Sequence, residues 1–326
     1  MKKVLVTHPC LPQFRAGLAE MGAGRCEFVF KESDWTEVQY RQALGEATAI
    51  IGEPKNEDFA FCKQLELLHS PCSGVNYYVE GGCFPENAVL CNASGCYGNI
   101  IAEHMLAMIL ALCRSLPEYR DLQRESKWQR VYFDKQLEDC TLLVLGAGDI
   151  GTTLAKWMKP MVKRVIGVRR VQREYPECYD EMITLAELEE NLPRADIIAC
   201  ALPHTPQTVG LLDEKLLERM KPDAVLVNAG RGSLIDQEAL CRLLDAGHFR
   251  GVGLEVMTPE PLPGESPLWR KPRVLITPHS AGNTFAPGSA LDRKIWAFMT
   301  ENMDRWLRGE EPENQVDFTQ GYRRTV

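Results

Sequence analysis

Short apolar runs typical of β-strands alternate with helix-compatible stretches along nearly the whole chain. The helical patterns include 149–160, 236–246 and 284–307. Alternation of this kind predicts parallel sheets that are covered by helices on both faces. The ten strand candidates are 4–6, 27–30, 49–52, 88–91, 141–146, 164–168, 196–202, 224–230, 251–256 and 273–278. Because ten strands are too many for one six-stranded unit, we predict an α/β fold with two doubly wound parallel-sheet domains and a cleft between them.

The length of 326 residues also suits two domains, each with its own core. A long apolar helix candidate at 99–116 is placed to leave the first domain, and a last helix at 289–310 is placed to return to it. We therefore predict one domain that is split between 1–100 and 288–326. The other domain would comprise 101–287.

Composition and charge restrict the function classes. Hydrophobic residues make up 45% and charged residues 25%, as in globular proteins. The net charge of −8 argues against nucleic acid or an anionic membrane as a partner, so an anionic substrate would need local arginines. The start "MKKVLVTHP" is too short in apolar residues for a signal peptide or a membrane span, and we expect a cytoplasmic protein.

None of the twelve cysteines is spaced as CxxC, so the sequence contains neither a zinc-ribbon nor a thioredoxin-type motif. Several cysteines lie in apolar runs, such as Cys113 in "MLAMILALC" and Cys200 in "DIIACALP". We expect reduced thiols that pack as small apolar groups, with no disulfide framework and no metal site.

The segment "TLLVLGAGDIGTTLAKWMKP" (141–160) places a glycine-rich turn between a strand candidate and a helix pattern. Gly146 would allow the tight turn, Gly148 would let a pyrophosphate approach the backbone, and Gly151 would let the helix pack close to the strand. The flanking strand and helix make this spacing more specific than GxGxxG alone, and they predict a dinucleotide site.

Arginine stands where many such sites have an acid. Arg169 lies 18 residues after Gly151, at the position where a carboxylate would bind the ribose hydroxyls. A guanidinium instead offers several donors to a 2′-phosphate, and Arg170 and Arg173 add positive charge. We predict that NADP(H) is favoured over NAD(H). A solvated basic turn is the other interpretation.

Three later segments follow strand candidates and carry reactive side chains. They are "VNAGRGSLID" (227–236), "GLEVMTPEPLPGESPLW" (253–269) and "VLITPHSAG" (274–282), and they contain Arg231, Glu260 and His279. An arginine binds a carboxylate bidentately, and a histidine paired with a carboxylate can act as a general acid. These groups suit the reduction of a 2-oxo acid with a nicotinamide cofactor.

With these motifs the sequence resembles the D-isomer-specific 2-hydroxyacid dehydrogenases, a family that includes glyoxylate/hydroxypyruvate reductases. The resemblance extends over essentially the whole chain. "SPCSGVNYY" (70–78) is similar to the loop that binds the substrate carboxylate, "NASGCYGNIIAEHMLAMILAL" (92–112) to the hinge and crossing helix, and "ALPHTPQTVGLLD" (201–213) to the adenine side. The resemblance implies an oxidoreductase with a split lid domain, a homodimer built around the crossing helix, and catalysis on domain closure.

The resemblance also implies roles for individual residues. Arg231 would bind the substrate carboxylate and carbonyl, His279 would be the acid/base, and Glu260 would hold the charge of His279. Ser73, Gly74 and Val75 would bind the substrate carboxylate through backbone amides. The cofactor would contact Gly146, Gly148, Asp149, Ile150, Gly151, Arg169, Arg170, Leu202, Pro203, Thr208, Ala229, Gly230, Glu255, Ser280, Ala281 and Gly282.

Glu255 departs from the family pattern, because "LEV" stands where the family usually has "LDV". The family aspartate normally holds the nicotinamide carboxamide. The longer side chain of Glu255 is expected to accept the same hydrogen bond from the carboxamide.

Two other functions compete with the dehydrogenase. One is a non-enzymatic, nucleotide-sensing co-regulator of the same fold, which could keep all three catalytic side chains. The other is a different Rossmann class, such as a methyltransferase or a short-chain dehydrogenase. The late nucleotide turn at 146 and the lack of a matching YxxxK oppose the short-chain class. The sequence leaves the substrate open among glyoxylate, hydroxypyruvate, pyruvate and branched 2-oxo acids.

Overall fold

The computed structural model describes residues 1–131, 136–171, 174–282 and 286–324. Arg173, which the sequence suggested as a source of positive charge, lies outside the described residues. The chain divides into two compact units. Unit 1 comprises Met1–Tyr97 and Thr284–Val326, and unit 2 comprises Gly98–Asn283.

The strands of the described residues form two parallel sheets and one small antiparallel pair. The strands of unit 1 are β1 (Lys2–Val6), β2 (Cys26–Phe30), β3 (Ala49–Ile51), β4 (Leu67–His69) and β5 (Val89–Cys91). Those of unit 2 are β6 (Thr141–Leu145), β7 (Arg164–Arg169), β8 (Glu181–Thr184), β9 (Ile197–Cys200), β10 (Val225–Asn228), β11 (Gly251–Leu254) and β12 (Val274–Ile276). The antiparallel pair in unit 1 is β13 (Val316–Asp317) with β14 (Tyr322–Arg323).

Ten α-helices lie within the described residues. They are α1 (Pro12–Gly22), α2 (Glu37–Glu46), α3 (Asn76–Glu80), α4 (Gly98–Cys113), α5 (Leu116–Arg124), α6 (Asp149–Met158), α7 (Leu188–Asn191), α8 (Glu214–Glu218), α9 (Gln237–Asp245) and α10 (Ala290–Leu307). Short 3₁₀ turns occupy Asn56–Phe61, Leu137–Asp139, Leu185–Glu187, Leu192–Arg194, Gly232–Leu234 and Pro267–Arg270.

Both sheets have doubly wound topology. The order in unit 1 is β2-β1-β3-β4-β5, and the order in unit 2 is β12-β11-β10-β9-β6-β7-β8. All strand pairs in these two sheets are parallel. The strand order of unit 2 reverses between β6 and β9, which is where open sheets of this kind bind ligands beyond the carboxyl ends of their strands. The predicted α/β class with two such sheets is confirmed.

The apolar runs fold as strands because the sheet of unit 2 is buried on both faces. Leu142 and Val144 join the core cluster under α4 and α6, whereas Leu143 and Leu145 join the cluster on the opposite face. Successive side chains of a strand point to opposite faces, so a parallel sheet between two layers of helices needs a continuous apolar run.

The crossing-helix candidate is shorter than the sequence suggested. The predicted helix 99–116 ends at Cys113, and α5 begins separately at Leu116. Ser115 between them adopts φ 56°, a left-handed conformation that no composition pattern indicates. Among the described residues, no single helix has the length and apolar composition needed to cross a membrane. Only α4 and α5 taken together, across a bend of 65°, meet those criteria.

Candidate active site

The glycine-rich turn connects β6 to α6 at the point where the strand order reverses. Gly146 has φ 108°, and a Cβ atom there would lie 2.8 Å from the carbonyl oxygen of Ala201. A Cβ atom on Gly151 would lie 2.2 Å from the carbonyl oxygen of Gly146. Both positions therefore need glycine. A Cβ atom on Gly148 would have none of the described atoms within 4 Å, apart from those of its chain neighbours and its own helix.

The amino end of α6 is suited to a phosphate. Asp149 and Ile150 are its first two residues, and the first amides of a helix have no partner within the helix. They carry partial positive charge that favours an anion. The carboxylate of Asp149 lies against Gly98, since a Cβ on Gly98 would be 2.5 Å from Asp149 Oδ1. These residues fit the pyrophosphate of a dinucleotide, and Asp149 would contribute its amide.

Arg169 ends β7 beside this turn. Its Nε donates to the carbonyl oxygen of Ala147 at 2.9 Å, and Nη1 donates to that of Glu174 at 3.3 Å. The first bond fixes the guanidinium next to the glycine-rich turn, which is the position that reads the ribose in doubly wound nucleotide sites. Arg170 follows it and is exposed.

Leu202, Pro203 and Thr208 lie in the segment that follows β9, the strand on the other side of the switch point. Leu202 and Pro203 are half-buried, and Thr208 is buried. Thr208 Oγ1 donates to the carbonyl oxygen of Pro203 at 2.6 Å and accepts from the amide of Thr205 at 2.9 Å. The hydroxyl of Thr208 therefore shapes the loop that begins at Pro203.

Arg231 lies on the turn after β10, together with Ala229 and Gly230. The buried side chain of Asn228 holds this turn, since its Oδ1 accepts from the amide of Gly230 and its Nδ2 donates to the carbonyl oxygen of Arg231. Arg231 Nη1 donates to the carbonyl oxygen of Gly230 at 2.7 Å. A Cβ on Gly230 would lie 2.5 Å from the carbonyl oxygen of Leu202. Asn228 was not among the predicted site residues, and its position as the last residue of β10 was the available signal.

His279 and Glu260 form the closest functional pair of the site. His279 Nδ1 lies 2.7 Å from Glu260 Oε2, and Glu260 Oε1 accepts from the amide of Met257 at 2.9 Å. Glu260 is thereby fixed at both oxygens. A carboxylate at Nδ1 favours the tautomer in which Nδ1 carries the donated proton, and it stabilises the imidazolium. The ring then presents Nε2 on its other side for proton transfer.

Arg231, Glu260 and His279 follow three neighbouring strands of one sheet. The sheet pairs β10 with β11 and β11 with β12, all in parallel, so the three loops begin at the same edge. The loop of Arg231 also packs tightly against the loop of Glu260, because a Cβ on Gly232 would lie 2.0 Å from the carbonyl of Met257. The sequence singled out these three residues, and the fold places all three in loops at the carboxyl ends of neighbouring strands.

Glu255 and the turn 280–282 lie at the same edge. Glu255 is 2% exposed, and its Oε1 accepts from the amide of Ala281 at 2.5 Å. Its Oε2 lies 3.1 Å from His104 Nε2 and also accepts from the hydroxyl of Thr277. Ser280 and Gly282 flank Ala281 on that turn and are half-buried. His104 and Thr277 could not be predicted as part of the site, because the fold brings them together from distant segments.

Ser73, Gly74 and Val75 belong to unit 1, where they follow β4. Asn92 Nδ2 donates to the carbonyl oxygen of Ser73 at 2.8 Å, which helps to fix the backbone of the segment. The segment is held at its start by Tyr97, whose hydroxyl donates to the carbonyl oxygen of Pro71 at 2.8 Å.

His69 anchors the same segment from the end of β4. Burial lowers the pKa of His69 to about 4, so its ring is neutral near neutral pH. Its Nδ1 lies 3.2 Å from the carbonyl oxygen of Ser70 and therefore carries the proton, while Nε2 accepts from Asn302 Nδ2 at 2.9 Å. The amide of Asn302 also bonds to both backbone groups of Glu313. These contacts tie the start of the segment to α10.

Comparison with known proteins identifies the family. The NAD binding domain of D-isomer specific 2-hydroxyacid dehydrogenases matches residues 106–281. A Corynebacterium melassecola protein, described as an uncharacterized protein in the proB 3′ region, is 32% identical over 269 residues, or 80% of this chain and 84% of that protein. The chain therefore belongs to the D-isomer specific 2-hydroxyacid dehydrogenase family, and it is an NAD(P)-dependent enzyme.

Solved structures support this assignment. A D-isomer specific 2-hydroxyacid dehydrogenase family protein from Aeromonas salmonicida subsp. salmonicida A449 is 29% identical, with a TM-score of 0.84 over 97% of this chain and 99% of that chain. A D-isomer specific 2-hydroxyacid dehydrogenase from Xanthobacter autotrophicus Py2, in complex with NADPH and MES, is 27% identical, with a TM-score of 0.81 over 98% and 99%. The predicted family is confirmed, and the co-regulator alternative is not favoured.

Proposed function

We propose that the enzyme reduces a small 2-oxo acid to the D-2-hydroxy acid, with His279 as the proton donor. The observation that carries this proposal is the 2.7 Å contact between His279 Nδ1 and Glu260 Oε2 at the edge where the loop of Arg231 also begins. The nicotinamide cofactor, held at the glycine-rich turn, supplies the hydride.

The protein side chains would prepare the substrate and deliver the proton. Arg231 binds the carboxylate with its fork of donors and polarises the neighbouring carbonyl. His279, protonated and held by Glu260, gives its Nε2 proton to the carbonyl oxygen as that oxygen gains negative charge. After transfer, the neutral ring remains bonded to Glu260 through Nδ1. The resemblance adds the amides of Ser73, Gly74 and Val75 as further ligands of the carboxylate.

Glu260→Gln is expected to lower kcat for reduction by about 10- to 10²-fold, because it replaces a charge-assisted hydrogen bond to His279 Nδ1 with a neutral one and no longer complements the charge of the proton donor. Steady-state kcat, measured at saturating cofactor and 2-oxo acid, tests this loss. Glu218→Gln, at an exposed position on α8, is the control. An unchanged kcat in Glu260→Gln would remove Glu260 from the mechanism.

We further propose that NADPH is preferred over NADH. Arg169 supports this preference because its guanidinium lies beside the glycine-rich turn, where it would meet a 2′-phosphate, and Arg170 adds charge. The related enzyme from Xanthobacter autotrophicus was solved with NADPH, which agrees with a family site that accepts the phosphate.

Arg169→Asp is expected to reverse this preference. The change removes charge-assisted bonds to the 2′-phosphate and places a repelling carboxylate there, so the ratio of kcat/KM for NADPH to that for NADH falls by roughly 10²-fold. Arg164→Asp is the matched control, because Arg164 begins the same strand and lies at its opposite end. A wild-type enzyme that strongly prefers NADH would contradict the proposal and leave Arg169 as part of a basic turn.

By the resemblance, we propose a homodimer, and a sedimentation experiment that finds only single chains would contradict it. We also propose a cytoplasmic location, because the exposed Cys83 and the half-buried Cys10, Cys62 and Cys241 are thiols, a state that a reducing compartment preserves.

A further inference from the structure

Glu255 is a buried carboxylate whose oxygens both have protein partners. Its Oε2 forms a closed triangle with His104 Nε2 at 3.1 Å and with the hydroxyl of Thr277, which itself lies 3.0 Å from His104 Nε2. The Thr277 hydroxyl donates to the carboxylate, and His104 Nε2–H reaches both oxygen atoms. A carboxylate that is 2% exposed is tolerated only when such partners replace water.

The other groups of Glu255 hold the turn of His279. Oε1 accepts from the amide of Ala281 at 2.5 Å, and the carbonyl oxygen of Glu255 accepts from the amide of His279 at 2.9 Å. One residue thus bonds to the backbone on both sides of Ser280. His279 has φ 50°, a left-handed conformation that persists in a residue other than glycine only when surrounding contacts impose it.

We propose that His104 and Thr277 are positioning residues for His279, acting through the carboxylate of Glu255. The triangle fixes that carboxylate, the carboxylate fixes the amide of Ala281, and the turn then presents the ring of His279 to Glu260 and to the substrate. This inference rests on the proposed role of His279 as proton donor. It gives Glu255 a task different from the carboxamide contact that the family resemblance implies.

The two tasks of Glu255 make different predictions. If Glu255 served only to bind the nicotinamide carboxamide, disturbing it through His104 or Thr277 would change the Kd of the cofactor. If Glu255 holds the turn of His279, the same changes would slow the chemical step, because a small displacement of a proton donor lowers kcat even when the substrate binds normally. A comparison of kcat with the cofactor Kd therefore separates them.

The experiment uses paired variants of the full chain. Thr277→Val removes the hydroxyl and keeps the shape of the side chain, whereas Thr277→Ser keeps the hydroxyl. His104→Phe removes the ring nitrogen, whereas His104→Gln can place an amide donor near the same point. Asn191→Ala is the control for general loss of stability. Asn191→Ala deletes a buried side chain that donates to the carbonyl oxygen of Glu187 at 2.8 Å. Asn191 lies on α7, which follows β8, and β8 is the outermost strand on the side of the sheet away from β12.

We expect Thr277→Val and His104→Phe to lower kcat by about 10- to 10²-fold at saturating NADPH and 2-oxo acid. The Kd of NADPH, measured by fluorescence titration, is expected to stay within about twofold of the wild-type value. Thr277→Ser and His104→Gln should restore most of kcat. Hydrogen exchange of the peptide that covers 277–282 should be faster in the two disruptive variants and unchanged in Asn191→Ala.

Two results would overturn the inference. One is a weaker Kd for NADPH in Thr277→Val and His104→Phe with kcat at saturation unchanged. The other is wild-type exchange of 277–282 in both variants. A wild-type enzyme that reduces no 2-oxo acid would contradict the proposed function instead, and in that case the exchange and Kd measurements still decide whether the triangle holds the turn.

Discussion

Replacing His279 by alanine is expected to lower kcat for 2-oxo acid reduction by about 10²- to 10⁴-fold, which is the usual contribution of a general acid. The variant keeps the glycine-rich turn and the Arg231 loop, so cofactor binding should be little changed. Stopped-flow measurement of cofactor oxidation at saturating substrate gives the rate of the chemical step, and fluorescence titration gives the cofactor Kd. The loss should therefore appear in the chemical step alone.

His248→Ala provides the matched control for this prediction. His248 precedes β11, so it lies near the amino ends of the strands, whereas the loops of the site follow their carboxyl ends. Removal of its side chain should therefore leave kcat unchanged. A His279→Ala variant with nearly wild-type turnover would contradict the assignment of His279. A loss of similar size in His248→Ala would show that the effect is one of folding.

Arg231→Gln is expected to have an effect of comparable size, in kcat/KM for the 2-oxo acid. The substitution removes two charge-assisted hydrogen bonds of roughly 1.5–3 kcal/mol each, which corresponds to a loss of roughly 10²- to 10⁴-fold. Arg231→Lys should recover only part of it, because an ammonium keeps the charge but not the planar fork. Steady-state kinetics with the 2-oxo acid as the varied substrate provide the measurement.

The protein supplies a control for the charge as well. Arg219 is an exposed arginine of unit 2, and Arg219→Gln changes the net charge by the same amount without touching the site. If Arg231→Lys equalled the wild type, a bidentate contact with the carboxylate would be excluded. If Arg219→Gln lost as much as Arg231→Gln, the effect would come from long-range attraction of the anionic substrate.

The sequence predicts the two parallel sheets because a strand buried on both faces must be continuously apolar, as "TLLVLG" is. It misses shorter elements. β4 comprises only Leu67–His69 and β8 only Glu181–Thr184, and each contains just two consecutive apolar residues, so neither forms the apolar run that marks the other strands. The end of α4 is missed for a different reason: Ser115 has a left-handed backbone, and its hydroxyl accepts a hydrogen bond from the distant Arg250, which no local pattern predicts.

The residues of the candidate site also fall into those that the sequence predicts and those that it does not. Gly146 and Gly151 are visible in the sequence because each solves a local steric problem with a fixed spacing. Arg231, Glu260 and His279 are visible because each follows an apolar run, and parallel strands bring their carboxyl ends together. The partners that orient them are hidden. His104 meets Glu255 and Thr277 across more than a hundred residues of chain, and no local pattern records a contact of that range.

The most direct test of the central claim is reduction of a panel of 2-oxo acids, with the configuration of the product determined. Glyoxylate, hydroxypyruvate, pyruvate and a branched 2-oxo acid would each be incubated with NADPH and with NADH, and chiral products would be resolved by chromatography. We predict cofactor oxidation with at least one acid, a higher kcat/KM with NADPH, and only the D enantiomer of any chiral product. Absence of cofactor oxidation with every acid, or formation of the L enantiomer, would contradict the proposed function.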